Sequence, residues 1–425
     1  MNIPFKKGNI LLPKNTDMTK WSVVACDQYT SEKDYWEEVE QIVGDYPSTL
    51  KLTLPEIYLE ENDVEERIKR INDNMQKLID ENFFTEYKDS MIYLERTQAD
   101  GKVREGVMGI VDLEDYSYEK GSETLIRATE KTVIERIPPR VKIRENAPLE
   151  FPHIMILIDD DKKDIIESLK EEVKEDDKVY DFELMQNGGH IKGYKLSDKS
   201  IEEIESKLEV LKDPENFSKK YDVTNKGVLL FAMGDGNHSL ATAKTCYENL
   251  KKELNEEEYL NHPARYALVE LVNLHSQALE FEAIHRVIFD TDINNLLSEM
   301  KKYYNINKEG NGQEFEVITK DMDEVWYIEN PKSNISVGSV QIFLDEYLEN
   351  HKGKIDYIHG EEVVKNFAKE DNNLGLIFKS MKKEELFKTV IVDGALPRKT
   401  FSMGHSYDKR FYLEGRKIKW HTKQF

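Results

Sequence analysis

A strand-to-helix junction at residues 231–243, FAMGDGNHSLATA, constrains the fold of this chain more than any other segment. The apolar run before it, GVLLF (227–231), predicts a buried strand, and SLATAKTCYENLKKEL (239–254) predicts a helix with one apolar face. The polar residues stand at the join, where α/β proteins commonly bind ligands. The junction therefore predicts both a local fold and a candidate site.

Predicted strands and helices alternate along the whole chain. Apolar residues at three- and four-residue steps predict helices over 32–43, 61–82, 162–175, 200–212 and 294–304. Alternating or continuous apolar runs predict strands over 90–97, 106–113, 153–159, 178–185, 190–196, 264–274 and, in the last third of the chain, 374–378 and 389–394. This mixture indicates an α/β fold, with α+β as the alternative.

The length of 425 residues exceeds what one ordinary core accommodates. We expect an N-terminal α/β segment over 1–110 and a catalytic core over 111–290. A C-terminal α/β segment over 291–425 is expected to complete a phosphate site. The loop-like stretch NKEGNGQEFE (307–316) lies near the second boundary.

The charge balance is strongly acidic. Lys and Arg number 60 and Asp and Glu 83, for a formal charge of −23, which argues against nucleic-acid or anionic-lipid partners. No run reaches the roughly 20 apolar residues that span a bilayer, and the N-terminus lacks signal-peptide features, so a cytoplasmic protein is expected. A phosphate ligand would need a locally positive pocket. Basic residues do cluster near the C-terminus: Arg398, Lys399, Lys409, Arg410, Arg416, Lys417, Lys419 and Lys423.

The polar residues of the junction suit a phosphate. Gly234 and Gly236 permit unusual backbone conformations and close approach of a ligand. Asn237 or Ser239 is predicted to cap the helix, whose N-terminal N–H groups carry partial positive charge. Asp235 is a candidate Mg²⁺ ligand or proton acceptor, and His238 a candidate donor to a phosphoryl oxygen or proton relay. The alternative is an ordinary glycine turn with a satisfied Asp and His.

Six segments in order carry a resemblance to a known family. They are VVACDQYTS (23–31), GIVDLEDYS (109–117), IRATEKTVIERIPPR (126–140), LEFEAIHRVIF (279–289), IDYIHG (355–360) and LPRKTFSMGH (396–405). With GDGNHS, they resemble a bacterial and archaeal family catalogued as a domain of unknown function. That family is related to the free serine kinases of the ParB/sulfiredoxin-like group. The resemblance implies a ParB/sulfiredoxin-like core elaborated by further strands and helices.

The resemblance also implies phosphoryl transfer to the hydroxyl of free serine. Glu130 matches the position of the base, and Asp235, Gly236 and His238 match an Asp-Gly-His-His-Arg element, in which Asn237 and Ser239 replace a His and the Arg. Arg is a strong phosphate clamp, so its loss here must be compensated. The resemblance therefore implies further residues for the phosphates, a Mg²⁺ ion, and a contact with substrate. The candidates are Arg127, Arg398, Lys399 and Thr400 for phosphate, and His285 and Arg286 for substrate.

Two classes of function remain open at this point. The first is an enzyme that moves a phosphoryl group on or off serine, with ATP, ADP or pyrophosphate as donor, or as a phosphoserine phosphatase. The second is a non-catalytic regulator of ParB-like fold that binds a nucleotide or phosphometabolite. A DNA-binding role is disfavoured by the net charge.

Overall fold

A computed structural model describes residues 3–131 and 134–420 of the chain. It divides into two compact units. The first comprises residues 1–128, 132–279 and 405–425, and the second residues 129–131 and 280–404. These two units divide the chain at positions other than the predicted boundaries at 110 and 290. The three predicted segments stay a prediction. Lys423 lies outside the described residues.

The first unit is built on a mixed sheet. Its strands, in chain order, are β1 (Phe5–Lys6), β4 (Ile92–Thr97), β5 (Val103–Asp112), β6 (Tyr116–Ser117), β7 (Ile126–Arg127), β9 (Met155–Ile158), β10 (Lys178–Glu183), β11 (His190–Lys195), β12 (Phe231–Asp235) and β13 (Tyr266–Asn273). They pair in the order β10-β11-β4-β5-β13-β9-β12-β7-β6, and β1 adds to β5. Two further pairs, β2 (Gly8–Pro13) with β3 (Phe84–Ser90) and β8 (Leu149–Glu150) with β21 (Arg416–Lys417), complete the strands described in this unit.

Both faces of this sheet are buried. Ile92 and Leu94 of β4 pack into one apolar core, and Tyr93 between them packs into the other. Successive side chains of a strand point to opposite faces, so each strand serves two cores. The helices that cover them are α1 (Met18–Trp21), α2 (Lys33–Val43), α3 (Val64–Asp80), α4 (Ile137–Arg144), α5 (Asp198–Lys212), α6 (Pro214–Tyr221), α7 (Asn237–Lys251) and α8 (Glu256–Asn261).

The second unit holds its own sheet. Its strands are β14 (Phe281–Phe289), β15 (Ile306–Asn307), β16 (Gln313–Thr319), β17 (Met322–Ile328), β18 (Lys354–His359), β19 (Leu374–Ile377) and β20 (Phe401–Met403). The order is β15-β17-β16-β19-β14-β18, and β20 also pairs with β14. The helices are α9 (Ile293–Tyr303), α10 (Ser336–Leu348), α11 (Glu361–Ala368) and α12 (Lys383–Asp393).

The predicted α/β class is confirmed by these mixed sheets and helices, as are both predicted hairpins, β4–β5 and β10–β11. Three local predictions are wrong. The strand expected at 227–231 begins only at Phe231, where pairing with β7 and β9 starts. The helix expected at 162–175 is replaced by short 3-10 turns at Glu167–Glu171 and Glu175–Asp177. The strand expected at 389–394 lies in α12.

No helix in the described ranges is both long and apolar enough to cross a bilayer.

Candidate phosphate-binding site

The site begins with the turn between β12 and α7. Gly236 adopts the left-handed conformation, with φ 77° and ψ 28°. A Cβ at this position would lie 3.0 Å from the Cα of Ile154, so both backbone angle and space favour glycine. The helix begins at Asn237, and no side chain caps it; the predicted capping by Asn237 or Ser239 is therefore wrong. The first turn of this 15-residue helix thus has no side-chain cap, and a helix N-terminus of this kind favours an anion.

Asp235 is held in place by two contacts. Its Oδ1 accepts a hydrogen bond of 2.9 Å from the N–H of Gly236. Its Oδ2 lies 3.4 Å from Nζ of Lys409, and both side chains are less than one-fifth exposed. A lysine from the C-terminal segment is thus brought to the turn. An ammonium group at this place can neutralise phosphate charge.

A buried histidine links the turn to the N-terminal segment. Nε2 of His153 lies 3.5 Å from Oδ2 of Asp27 and 3.3 Å from Oγ of Ser239. Its Nδ1 lies 3.0 Å from the hydroxyl of Tyr412, which in turn accepts a hydrogen bond from the N–H of Cys26. These contacts fix the ring and direct Nε2 toward Asp27 and Ser239.

The charges around His153 favour its protonated form. Burial opposes that charge, but the carboxylates of Asp27 and Asp235 outweigh it and raise the imidazole pKa above its ordinary value. Burial likewise opposes ionisation of Asp27, yet His153 and Lys409 hold the pKa of that carboxyl well below its usual range. Each side chain of the pair therefore favours the charged form of the other.

His238 lies in the opposite electrostatic situation. Burial lowers its pKa to about 4, and the guanidinium groups of Arg140 and Arg136 lower it further, with Asp27 opposing them. Its imidazole is neutral at physiological pH and can donate or accept one hydrogen bond. Burial disfavours any charge here, but the positive charges of Arg140 and Arg136 favour an anion over a cation. The charges around His238 therefore point to the same ligand class as the uncapped helix.

Buried arginines hold the segment that carries Lys409. Arg96 donates to the carbonyl of Tyr407, at 2.6 Å, and to that of Lys409. Arg104 donates to the carbonyl of Asp408 at 3.1 Å, and through Nε to Glu270 at 3.1 Å. Three consecutive carbonyls are thus fixed by two side chains that are at most 2% exposed. Arg410 extends this network to Glu270 and Glu414.

The second unit gathers another group of the predicted residues. The buried Arg286 donates to the carbonyls of Lys399, at 2.9 Å, and Arg398, at 3.3 Å. The guanidinium carbons of Arg286 and Arg398 lie 5.0 and 5.2 Å from the ring centre of Tyr357. Burial lowers the pKa of Arg286 to about 10, and the charges of Tyr357 and Glu130 oppose that effect. Arg398 and Lys399 are exposed, which leaves this basic loop open to solvent.

The remaining predicted residues make local contacts. The backbone of Glu130 forms a parallel bridge with Leu396 in the second unit. There, Thr400 donates to the carbonyl of Pro397 at 2.7 Å, and Nδ1 of His285 accepts from the N–H of Phe378 at 3.3 Å. In the first unit, Arg127 donates to three backbone carbonyls, those of Thr124, Gly227 and Val228. Arg127 and His285 therefore stabilise neighbouring backbone segments. Their roles as ligand contacts stay predictions.

Four residues of the site were not among the predicted site residues: Asp27, His153, Lys409 and Tyr412. Signals for two were present, since Asp27 belongs to the quoted segment VVACDQYTS and Lys409 to the basic C-terminal cluster. His153 precedes an apolar strand, and Tyr412 follows Lys409 without any motif. Tertiary packing brings these residues together from distant parts of the chain. Tyr412, for example, contacts the N–H of Cys26, which is 386 positions away in the sequence.

The donor set does not by itself make a resident metal site. Over the part of the chain that the structure describes, no group of three or more His, Cys, Asp or Glu side chains could hold a metal ion. Asp235 is one carboxylate beside an ammonium. Its role as a Mg²⁺ ligand stays a prediction.

Several solved structures are similar to this chain at low identity. A mutant of free serine kinase in complex with AMP is 12% identical, with a TM-score of 0.39, over 75% of this chain and 92% of that one. A conserved hypothetical protein from Pyrococcus furiosus is 10% identical, with a TM-score of 0.36, over 73% and 94%. Truncated SbnI from Staphylococcus aureus is 11% identical, with a TM-score of 0.29, over 49% and 80%.

No curated protein matches the chain. The match to a family model is extensive, and it is the family type that the six ordered motifs predicted. The chain belongs to the family described as protein of unknown function (DUF1015), whose model matches residues 4–347.

Proposed function

We propose that this protein is a phosphotransferase that acts on the hydroxyl of free L-serine, with residues 234–239 as its phosphate cradle. The observation that carries the proposal is the N-terminus of α7, which no side chain caps and which lies beside Lys409 and the His153–Asp27 contact. Main-chain N–H groups, a fixed ammonium and a helix dipole together stabilise phosphate oxygens. The acceptor, serine, comes from the family resemblance.

The chemistry needs positioning and charge neutralisation more than covalent help from the protein. A bond forms between the serine Oγ and phosphorus, and the bond from phosphorus to the donor's bridging oxygen breaks. The N–H groups of residues 237–239 and Lys409 bind the phosphoryl oxygens. The hydroxyl proton passes to Glu130, which the resemblance makes the base. Mg²⁺, if it accompanies the donor, neutralises charge on the donor's phosphates.

The donor class follows from the same cradle. ATP, ADP and pyrophosphate all present a terminal phosphate to a helix N-terminus. Structures of free serine kinase in complex with AMP and with ADP are among those similar to this chain, so adenine nucleotides are the first donors to test. Arg398 and Lys399 stay candidates for phosphate binding, which the resemblance implies in place of the Arg absent from the GDGNHS element.

A ³¹P NMR panel tests the proposal directly. The full chain is mixed with Mg²⁺, L-serine and, in separate tubes, ATP, ADP or pyrophosphate, and phosphoserine is supplied for the reverse reaction. We expect a new phosphomonoester resonance in one tube. Glu130→Gln is expected to lower the rate by about 10²-fold or more, because general base catalysis contributes on that scale.

The controls separate an enzyme from a binding protein. Glu253→Gln changes an exposed carboxylate on the surface and should leave the rate unchanged. Saturable binding of a donor without turnover in any tube would favour the regulator, and phosphate release from phosphoserine without transfer would identify a phosphatase. Turnover that is unaffected by both Glu130→Gln and Asp235→Asn would contradict the assigned site.

A further inference from the structure

A cavity lies in the first unit, outside the phosphate cradle. Its volume is about 330 Å³, at the lower end of the range for small-molecule sites. Its wall is formed where β1, β5, the 3-10 turn Leu113–Asp115 and β13 meet. None of its lining residues belongs to the turn 234–239 or contacts it through a hydrogen bond or ion pair described above.

One pair of charges in the wall is already satisfied. Asp112 accepts hydrogen bonds of 3.0 and 2.7 Å from Nε and Nη2 of Arg265. Nη1 of Arg265 donates to the carbonyl of Leu260 at 3.0 Å. These two side chains therefore form a neutral part of the wall rather than a ligand contact.

A second pair of charged side chains, Lys6 and Asp115, makes fewer contacts with the protein. Asp115 is half-buried and has no hydrogen bond or ion pair within residues 3–131 and 134–420. Burial and the neighbouring Asp112 raise its pKa, and the charges of Arg265 and Lys6 only partly oppose that effect. Lys6 has three N–H donors but only a 3.3 Å contact with the hydroxyl of Tyr266 and a 4.0 Å contact with Asp112. Lys6 and Asp115 do not pair with each other in the described structure.

The rest of the wall is apolar or aromatic. Ile3 and Leu125 line the cavity, and Nζ of Lys6 lies 4.4 Å from the ring centre of Tyr266. The four charges of the lining sum to zero, so a ligand of high net charge such as a nucleotide is not matched. A molecule with one ammonium, one carboxylate and a short apolar part matches every group.

We propose that this cavity binds a free aliphatic α-amino acid as a zwitterion. Its ammonium group pairs with Asp115 and its carboxylate with Lys6, while the side chain packs on Ile3 and Leu125. The site does not depend on the proposed phosphoryl transfer, and it supplies the protein with an amino-acid-binding function of its own.

Ligand-detected NMR on the full chain tests this inference, with L-leucine as the probe. Leucinol, which lacks the carboxylate, and 4-methylpentanoate, which lacks the ammonium, are the matched analogues. We expect L-leucine to bind and each analogue to bind about tenfold more weakly, the loss of roughly one charged contact. Asp115→Asn and Lys6→Met are each expected to weaken L-leucine to a similar extent.

Glu119→Gln and Lys7→Met, at exposed positions nearby in sequence, are the controls and should bind L-leucine as the unchanged protein does. Circular dichroism of each variant establishes that it is folded. Failure of L-leucine to bind, binding of either analogue as tightly as L-leucine, or binding of L-leucine by Asp115→Asn or Lys6→Met as tightly as by the unchanged protein would each overturn the proposal. None of these results depends on whether serine is phosphorylated.

Discussion

Single residues at the turn act through charge. Nζ of Lys409 lies 3.4 Å from Asp235, and Asp27 and Asp235 raise the pKa of His153, so an ammonium and an imidazole that favours its charged form lie beside a helix N-terminus without a side-chain cap. The GDGNH motif indicated this role for the turn from sequence alone, because glycine is needed where φ is positive. It did not indicate Lys409 or His153, since their approach depends on how distant segments pack.

Lys409→Met should weaken phosphate binding. The substitution keeps the aliphatic stem and removes the ammonium group, so the expected loss is about tenfold in affinity for pyrophosphate. Isothermal titration calorimetry measures it. Lys417→Met is the matched control, because Lys417 lies on the same C-terminal segment and pairs with Glu86 at 3.2 Å, away from the turn. Equal affinities for the two variants would rule out a phosphate contact for Lys409.

The titration of His238 reports whether the turn binds an anion. Its folded pKa of about 4 lies below the ordinary value of 6.5, so the unfolded chain binds the extra proton between those values. The contribution of His238 to stability is therefore fully present above pH 6.5 and falls as the pH drops toward 4. Pyrophosphate should raise the pKa of His238, because a nearby anion favours the imidazolium. Imidazole NMR shifts followed against pH measure this, and an unchanged pKa under saturating pyrophosphate would contradict the site.

Elements rather than residues decide how the C-terminal segment reaches the turn. Arg96 and Arg104 extend from the central strands β4 and β5, and their guanidinium groups fix the carbonyls of residues 407–409. Buried arginines in the middle of a sheet are costly unless every donor finds an acceptor. The sequence shows that these arginines lie in predicted strands. It does not show which segment they contact, because that segment lies some 300 residues away.

Arg104→Met should destabilise the protein strongly. It removes one cation from a pair with Glu270 in which both side chains are at most 2% exposed. Breaking such a pair costs about 3 kcal/mol, to be measured by urea unfolding. Arg70→Met is the control: its pair with Glu66 is more than half exposed and should contribute less than about 1 kcal/mol. A similar loss for both variants would mean that the buried network does not anchor the segment.

The three errors of element prediction come from contacts that a hydrophobic pattern does not show. The strand at β12 starts late because pairing to β9 and β7, not hydrophobicity, sets its limits. The chain after β9 does not form the expected helix because Asp160 accepts the N–H groups of Asp164 and Ile165 and turns it. The β-branched residues of α12 are buried in a helix, since tertiary packing outweighs intrinsic propensity. The helix α3 was predictable because its apolar residues recur at three- and four-residue steps and form one buried face.

At the scale of the whole molecule, an acidic chain carries its phosphate chemistry in local basic places. The formal charge is −23, yet Lys409, Arg136 and Arg140 converge on the turn and Arg398 and Lys399 on a loop of the second unit. The acidic composition predicted that a phosphate ligand would need a locally basic pocket, and the order of the motifs predicted the family. The division into two units was not predictable, because the first unit is closed by residues from both ends of the chain.

The central claim is that the N-terminus of α7 binds the transferred phosphate. The most direct test is amide NMR of the full chain during a titration with pyrophosphate. The account predicts saturable shifts that are largest at the N–H groups of residues 237–239 and that are strongly reduced in Lys409→Met. Saturable binding whose largest shifts fall elsewhere, with residues 237–239 unmoved, would contradict it.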